Sequence, residues 1–122
     1  MTTDLPLNDR GLLLGDGLFE TLLALDGVLQ APAEHLARLD LSCAALALPK
    51  PDHDQALAMM QAAIKAAGLG QGRAAVRLTY TAGSGGRGLV RPDPIAPRLF
   101  ATAAPSAAPT APAKLILARI RR

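Results

Sequence analysis

The sequence is poor in aromatic residues and in cysteine. Its 122 residues include two Phe, one Tyr, no Trp and a single cysteine, Cys43. One cysteine cannot form a disulfide within the chain, and so few aromatic side chains offer little surface on which nucleic-acid bases could stack. We therefore expect no nucleic-acid partner, and a core built from aliphatic side chains.

Long apolar runs are also lacking. No run approaches the roughly 20 residues that span a bilayer, and residues 1–10 lack the basic and then apolar layout of a signal peptide. No cluster of His, Cys and Asp has metal-ligand spacing, so no metal site is expected. These patterns predict a cytoplasmic protein without a membrane partner. The formal charge of +3 comes partly from arginines near the end of the chain and indicates no particular partner.

Hydrophobic residues are abundant and are arranged first in a hairpin pattern. They make up 50% of the chain, enough to form the core of one compact domain. Residues 18–25 are mostly apolar, and Asp26-Gly27 followed by a second extended run predicts a β-hairpin. Because strand side chains alternate, one face of the first strand carries Phe19, Thr21 and Leu23, and the other carries Leu18, Glu20 and Leu22.

Two helices and further strands are predicted after the hairpin. Pro32 suits a first helical position, and an apolar stripe continues until just before Pro49. Asp52 and Gln55 resemble a capping box for a second helix, which Gly68 would end. Strands are predicted over residues 74–81, 98–103 and 114–120, with a Pro/Ala-rich connector over 104–113. The fold class is therefore α+β, an antiparallel sheet with two helices packed on it.

The glycine-rich segment at 83–88 formally matches a dinucleotide-binding loop. It reads Gly-Ser-Gly-Gly-Arg-Gly and follows a predicted strand. A dinucleotide loop must open a helix, and the prolines at 92, 94 and 97 forbid one there. The kinase version would need a downstream V-A-I-K lysine, which the sequence lacks. The loop is predicted to be a hairpin tip.

Two arginines are candidates for binding anions. Arg87 lies in the glycine loop, where its guanidinium could grip a carboxylate or could simply be solvated. Arg38 lies on the first helix with small residues at 42 and 45, which leaves room for a phosphate. The alternative for Arg38 is an ordinary surface ion pair with Glu34, four residues earlier.

The sequence offers no obvious nucleophile. Lys50, Lys65 and Lys114 are placed where none is clearly desolvated, as a Schiff-base amine would need to be. His35 is expected to be a packed or capping histidine, and His53 to be exposed.

The order of these motifs resembles class IV aminotransferases, the fold-type IV pyridoxal-phosphate enzymes. The resemblance rests on residues 9–21 (DRGLLLGDGLFET), on 34–39 (EHLARL), on Arg77 and on the loop 83–88. The sequence of that loop is more similar to aminodeoxychorismate lyases than to branched-chain transaminases. The resemblance implies the small N-terminal domain of such an enzyme over residues 1–113, with 114–122 starting the interdomain segment.

The resemblance also implies roles for particular residues. Arg38 matches the arginine that binds the phosphate of pyridoxal 5′-phosphate, and no metal is implied. The implied substrate-binding residues are Phe19, Thr21, Arg77 and Arg87. Ala75 replaces an aromatic residue of the branched-chain enzymes, a departure that argues against a branched-chain pocket.

The resemblance implies an enzyme that is either a lyase or a transaminase. The lyase would release pyruvate from 4-amino-4-deoxychorismate to give 4-aminobenzoate, a step of folate synthesis. The transaminase would move an amino group between a small amino acid and a 2-oxo acid. Either is expected to be a homodimer, and its Schiff-base lysine is expected in a C-terminal catalytic domain beyond residue 122. The alternative is a non-catalytic truncated domain that dimerises or binds an anion.

Overall fold

The computed structural model describes residues 4–120. These residues form three helices and four strands in the order α1 (Arg10–Leu14), β1 (Gly17–Leu25), β2 (Val28–Leu29), α2 (Pro32–Ala45), α3 (His53–Ala66), β3 (Arg73–Thr81) and β4 (Arg98–Pro105). No helix in this part of the chain is long and apolar enough to cross a membrane.

The strands form one antiparallel sheet in the order β2-β1-β3-β4. The β1–β2 hairpin turns at Asp26-Gly27, where both residues have positive φ, as a two-residue turn of this kind requires. β1 then pairs along its whole length with β3, which pairs with β4. The predicted α+β class and its antiparallel sheet are confirmed.

The two longer helices pack on one face of this sheet. α2 contacts β1, and α3 contacts β3 and β4. As predicted, the Asp52 side chain accepts a hydrogen bond from the backbone N–H of Gln55 and so caps α3. The core between helices and sheet is aliphatic apart from one tyrosine, and its largest buried side chains include Leu22, Leu39, Met60 and Leu78.

Within residues 4–120 the other face of the sheet carries no long helix, and only the short helix α1 contacts it, at the end near Thr81. Alternation along β1 turns Glu20, Leu22 and Ala24 toward the helices and turns Phe19, Thr21 and Leu23 away from them. Alternation along β3 likewise buries Val76, Leu78 and Tyr80 and leaves Arg77 exposed. The predicted face assignment of β1 is confirmed, and β3 alternates in the same way.

One predicted strand is wrong. Residues 114–120 were expected to form an alternating strand, and the structure gives them no strand or helix. Their apolar side chains are exposed, with Leu117 fully so. Alternation alone does not make a strand, because a strand needs a neighbour for its backbone N–H and C=O groups. β4 extends two residues past its predicted end, to Pro105, so the irregular segment begins at Ser106.

The short helix α1 was not predicted from the sequence. Asp9 caps it by accepting hydrogen bonds from the backbone N–H groups of Gly11 and Leu12. Gly15 ends it with a φ of 65°, a backbone conformation that favours glycine. The Asp9-to-Gly15 spacing is the signal that could have identified it.

Candidate functional site

A concave site lies on the uncovered face of the sheet, next to α1. The pocket has a volume of about 340 Å³, within the range of small-molecule sites. Its floor is the start of β1, the second half of β3 and Phe100 of β4, and its rim is α1 together with Leu5. The lining includes Leu5, Leu12, Phe19, Arg77, Thr79 and Phe100.

Strand register places the polar and aromatic side chains of this pocket. Thr79 on β3 lies between Phe19 on β1 and Phe100 on β4, so the two rings flank a small side chain. Arg77 is two residues earlier on β3 and therefore on the same face, directly opposite Thr21. The site thus combines apolar aromatic walls with one guanidinium.

Arg77 is stacked on one of these walls. Its guanidinium carbon lies 3.7 Å from the centre of the Phe19 ring, a distance at which the ring quadrupole attracts a cation. Stacking occupies the face of the guanidinium and leaves its N–H edge available. A guanidinium edge can bind a carboxylate through two parallel hydrogen bonds.

Arg38 belongs to α2 and contacts the face of β1 that points away from this pocket. Glu20, the neighbour of Thr21 in sequence, points toward the helices and is almost completely buried, with 6% of its side chain exposed. Its carboxylate accepts hydrogen bonds from Nε of Arg38 at 2.8 Å and from a terminal nitrogen of Arg38 at 2.6 Å. The Arg38 side chain is 66% exposed. The predicted alternative was an ion pair between Arg38 and Glu34. Arg38 does form an ion pair, but its partner is Glu20, so the predicted partner is wrong.

His35 completes this cluster. Its Nδ1 lies 2.7 Å from the second oxygen of Glu20. His35 is therefore packed, as expected, and its neighbour is a buried carboxylate. Hydrogen bonds from Arg38, opposed by desolvation and helped by His35, hold the pKa of Glu20 below its ordinary value. The carboxylate is therefore charged at neutral pH. The same bonds raise the pKa of Arg38.

The residues around Arg38 fit a phosphate group. Ser42 turns its hydroxyl back to the carbonyl of Arg38, so no bulky side chain covers the guanidinium from the next turn of α2. One terminal nitrogen of Arg38 has no hydrogen-bond partner among residues 4–120. An exposed, oriented guanidinium with free N–H groups is a suitable partner for the phosphate of a cofactor.

Arg87 is exposed at the tip of the loop that joins β3 and β4. No helix follows the glycines, in agreement with the rejection of a dinucleotide loop. Gly83 allows this turn: its φ is +80°, and a Cβ there would lie 1.9 Å from the carbonyl oxygen of Ala96. Neither Arg87 nor Thr21 nor Arg38 lines the pocket that contains Phe19 and Arg77.

A charged network that the sequence analysis missed holds this loop. Asp16 accepts hydrogen bonds from Arg10 at 2.7 Å and from Arg91 at 2.6 Å. Arg10 also donates to the backbone carbonyls of Leu89 and Val90. Because Arg91 and then Arg10 are its main hydrogen-bonding partners, Asp16 has a pKa below its ordinary value.

Asp9 anchors the other side of the loop. It is fully buried and accepts hydrogen bonds from the hydroxyl of Thr81 and from Arg98. The backbone N–H of Gly85 donates to the carbonyl of Asn8. Gly86, Arg87 and Gly88 therefore lie between two anchored positions, Gly85 before them and Leu89 after them.

The residues that could donate or accept protons elsewhere are poorly placed for catalysis. All three lysines, Lys50, Lys65 and Lys114, are exposed. Cys43 is buried, and burial raises its pKa, so its thiol is not an activated nucleophile. Residues 4–120 contain no group of three or more His, Cys, Asp or Glu side chains that could hold a metal ion.

Comparison with known proteins identifies the family. The sequence profile of the amino-transferase class IV family matches residues 17–122. No curated protein matches the chain significantly.

Several solved structures share the fold. The 4-amino-4-deoxychorismate lyase of Pseudomonas aeruginosa is 37% identical, with a TM-score of 0.70 over 92% of this chain and 39% of its own. A hypothetical aminotransferase of Mycobacterium tuberculosis, in its PLP-bound form, is 30% identical, with a TM-score of 0.70 over 85% of this chain and 34% of its own. The Escherichia coli branched-chain amino acid aminotransferase is 20% identical, with a TM-score of 0.72 over 86% of this chain and 36% of its own, which supports the fold alone. The chain therefore spans little more than a third of the length of each.

Proposed function

We propose, from the fact that this chain belongs to the class IV aminotransferase family, that it forms the small domain of a pyridoxal-phosphate enzyme acting as a 4-amino-4-deoxychorismate lyase. In this proposal residues 1–113 are the domain, and 114–122 lead into a catalytic domain that carries the Schiff-base lysine. The enzyme is a cytoplasmic homodimer that binds no nucleic acid.

The choice of a lyase is supported by one observation above the others. The identity to the Pseudomonas aeruginosa lyase is 37% over 92% of this chain, whereas the identity to the branched-chain enzyme is 20%. The pocket itself suits a cyclic, unsaturated carboxylate. Its walls are the rings of Phe19 and Phe100, and Arg77 offers a guanidinium edge to an acid group.

Each site residue has a distinct task in this proposal. Arg38 holds the cofactor phosphate, and Phe19 and Arg77 form one wall of the substrate site and orient a carboxylate. Thr21 is exposed opposite Arg77 on the same face of the sheet, and in this proposal it faces the substrate. Arg87 reaches a substrate carboxylate from the tip of its loop. When bound, pyridoxal phosphate supplies the electron sink of the reaction.

The lyase reaction needs no further reactant. 4-Amino-4-deoxychorismate contains all the atoms of 4-aminobenzoate and pyruvate, so no oxidant or reductant is required. The part of this chain is to bind and orient the substrate and to exclude water, and orientation of this kind contributes strongly to rate. The lysine that moves the proton is assigned to the catalytic domain.

Product analysis tests the proposal. The complete enzyme that carries this chain is incubated with 4-amino-4-deoxychorismate, and pyruvate and 4-aminobenzoate are measured together. The proposal predicts equal amounts of both. Amino transfer from amino acids to 2-oxo acids without pyruvate release would instead support the transaminase, which the identity to the Mycobacterium tuberculosis aminotransferase favours.

A non-catalytic module is the second candidate for the chain by itself. The exposure of all three lysines favours it, because none is desolvated for covalent attachment of the cofactor. The isolated chain should then dimerise or bind phosphate without acquiring the absorbance of a covalently bound cofactor. The two candidates are compatible if the chain is inactive alone and active within the complete enzyme.

A further inference from the structure

Glu20 has a contact pattern that a simple ion pair does not require. Its carboxylate is almost completely buried, and both of its oxygens are engaged by α2. Arg38 meets it in a fork, with Nε on one oxygen and a terminal nitrogen on the other. His35, one turn earlier on the same helix, contacts the second oxygen.

We propose that Glu20 is a positioning residue that holds the Arg38 guanidinium in the orientation that binds the cofactor phosphate. The inference rests on the proposed function, because it assumes that Arg38 is the phosphate ligand. It adds a residue that makes no contact with the cofactor, and it gives a role to the carboxylate on the buried face of β1.

The fork fixes the plane of the guanidinium. Two parallel hydrogen bonds define both the position and the rotation of the group, whereas a single bond would leave it free to turn. The remaining terminal nitrogen then points away from Glu20. His35 contacts the same oxygen of Glu20 as the terminal nitrogen of Arg38, and its Nδ1 lies 3.4 Å from that nitrogen, so it adds a second contact to the carboxylate beside the fork.

An arginine without this support would bind a phosphate less well. Ordering a long side chain on binding costs about 0.5 to 1.5 kcal/mol, which corresponds to roughly a two- to tenfold loss of affinity. In this chain Glu20 already orders the Arg38 side chain in the folded state, so binding a phosphate requires little further ordering. The exposed side chain of Arg38 would otherwise sample many rotamers.

Charge and orientation predict effects of opposite sign, which makes the inference testable. A carboxylate near a phosphate repels it, so removing the charge of Glu20 should strengthen phosphate binding if charge alone matters. If Glu20 positions Arg38, Glu20→Gln should weaken binding although it removes a negative charge. The amide would place an N–H donor where the carboxylate now accepts from Arg38 and His35.

Pyridoxamine 5′-phosphate is the suitable probe, since it cannot form a covalent adduct with surface lysines. Its affinity for the chain is measured by fluorescence titration and compared with that of pyridoxamine, which lacks the phosphate. We expect Glu20→Gln to weaken the phosphate-dependent part of the affinity roughly two- to tenfold. The matched control is Glu34→Gln, which removes an exposed charge four residues from Arg38 without touching its guanidinium.

The outcomes separate this inference from the proposed function. Weaker binding in both Arg38→Ala and Glu20→Gln, with Glu34→Gln not weakened, supports it. Weaker binding in Arg38→Ala, with Glu20→Gln equal to or tighter than the unaltered chain, overturns the positioning role and leaves the phosphate assignment intact. No phosphate-dependent binding, or no effect of Arg38→Ala, overturns the phosphate assignment and the positioning role together.

A second measurement tests the positioning directly and controls for misfolding. In the nuclear magnetic resonance spectrum, the Nε–H proton of Arg38 should exchange slowly and have a dispersed shift while the fork is intact. Glu20→Gln should move this signal to the averaged position of mobile arginines, while the amide signals of α3 and β4 stay in place. An Arg38 signal already averaged in the unaltered chain would contradict the inference.

Discussion

Arg77 stacks on Phe19, with its guanidinium carbon 3.7 Å from the ring centre. The two residues are on neighbouring strands and are diagonal to one another, since Phe19 is opposite Thr79 and Arg77 is opposite Thr21. Diagonal neighbours on one sheet face are within reach of long and aromatic side chains. The strand register thus presents a guanidinium edge to the pocket with its face already covered.

Replacing Phe19 should therefore affect substrate more than stability. Its side chain is 55% exposed, so Phe19→Ala should cost little folding free energy. Loss of the stacking, worth about 0.5 to 1 kcal/mol at an exposed site, should raise the Michaelis constant of the complete enzyme roughly two- to fivefold. Steady-state kinetics test this, with Val28→Ala on β2 as a control for an exposed apolar residue. An unchanged Michaelis constant would mean that Phe19 does not orient Arg77.

Asp16 should be important for the glycine loop and not for the cofactor. Only 13% of its side chain is exposed, and both Arg10 and Arg91 depend on it. Asp16→Asn should lower the free energy of unfolding by about 1 to 3 kcal/mol, the usual cost of leaving buried polar groups without partners. Hydrogen exchange should also increase at residues 86–90. A stable variant with unchanged exchange in this segment would show that the loop is held by other contacts.

Acid should weaken the fold through Glu20. Its pKa is lowered in the folded chain by Arg38 first and His35 second, from an ordinary value of 4.5. A carboxyl group with a lowered pKa stabilises the folded state above its ordinary pKa, and this contribution is lost as pH falls through the folded value. Denaturant unfolding from pH 7 to below pH 4.5 should show a smaller loss of stability in Glu20→Gln than in the unaltered chain. Glu34→Gln should behave like the unaltered chain, and equal slopes in all three would contradict the assignment.

Much of this fold could be predicted from local patterns. The hairpin turn at Asp26-Gly27, the capped start of α3 and the alternation of β1 each depend on residues within a few positions of one another, and all were confirmed. The strand over 114–120 was wrong because its formation depends on a pairing partner that local alternation cannot reveal.

The candidate site was predictable only in part. Motif resemblance proposed Phe19, Thr21, Arg38, Arg77 and Arg87 as site residues, and the structure brings Phe19 and Arg77 into contact. The partner of Arg38 was missed because Glu20 is 18 positions away, whereas Glu34 lies one turn away on the same helix. The available signal was Glu20 itself. It shares a strand face with Leu22, a buried face, and a buried charge needs a partner.

The isolated chain should not hold its cofactor covalently. Lys50, Lys65 and Lys114 are exposed, so none of their amines is desolvated as a Schiff-base amine would need to be. After incubation with one equivalent of pyridoxal phosphate and reduction with borohydride, peptide mass mapping should find no preferred lysine. Selective labelling of one of the three, together with turnover, would refute the assignment of the Schiff-base lysine to another domain.

Arg38 is proposed to bind the cofactor and Arg87 the substrate. Comparing the two alanine variants tests this division of roles most directly. In the complete enzyme, spectral titration with pyridoxal phosphate is combined with steady-state kinetics for Arg38→Ala and Arg87→Ala. Arg38→Ala should weaken cofactor affinity roughly ten- to a hundredfold, the effect of losing charge-assisted hydrogen bonds to a phosphate. Arg87→Ala should leave that affinity unchanged and raise the Michaelis constant. Full cofactor affinity in Arg38→Ala would contradict the account and leave Arg38 as the ion-pair partner of Glu20 alone.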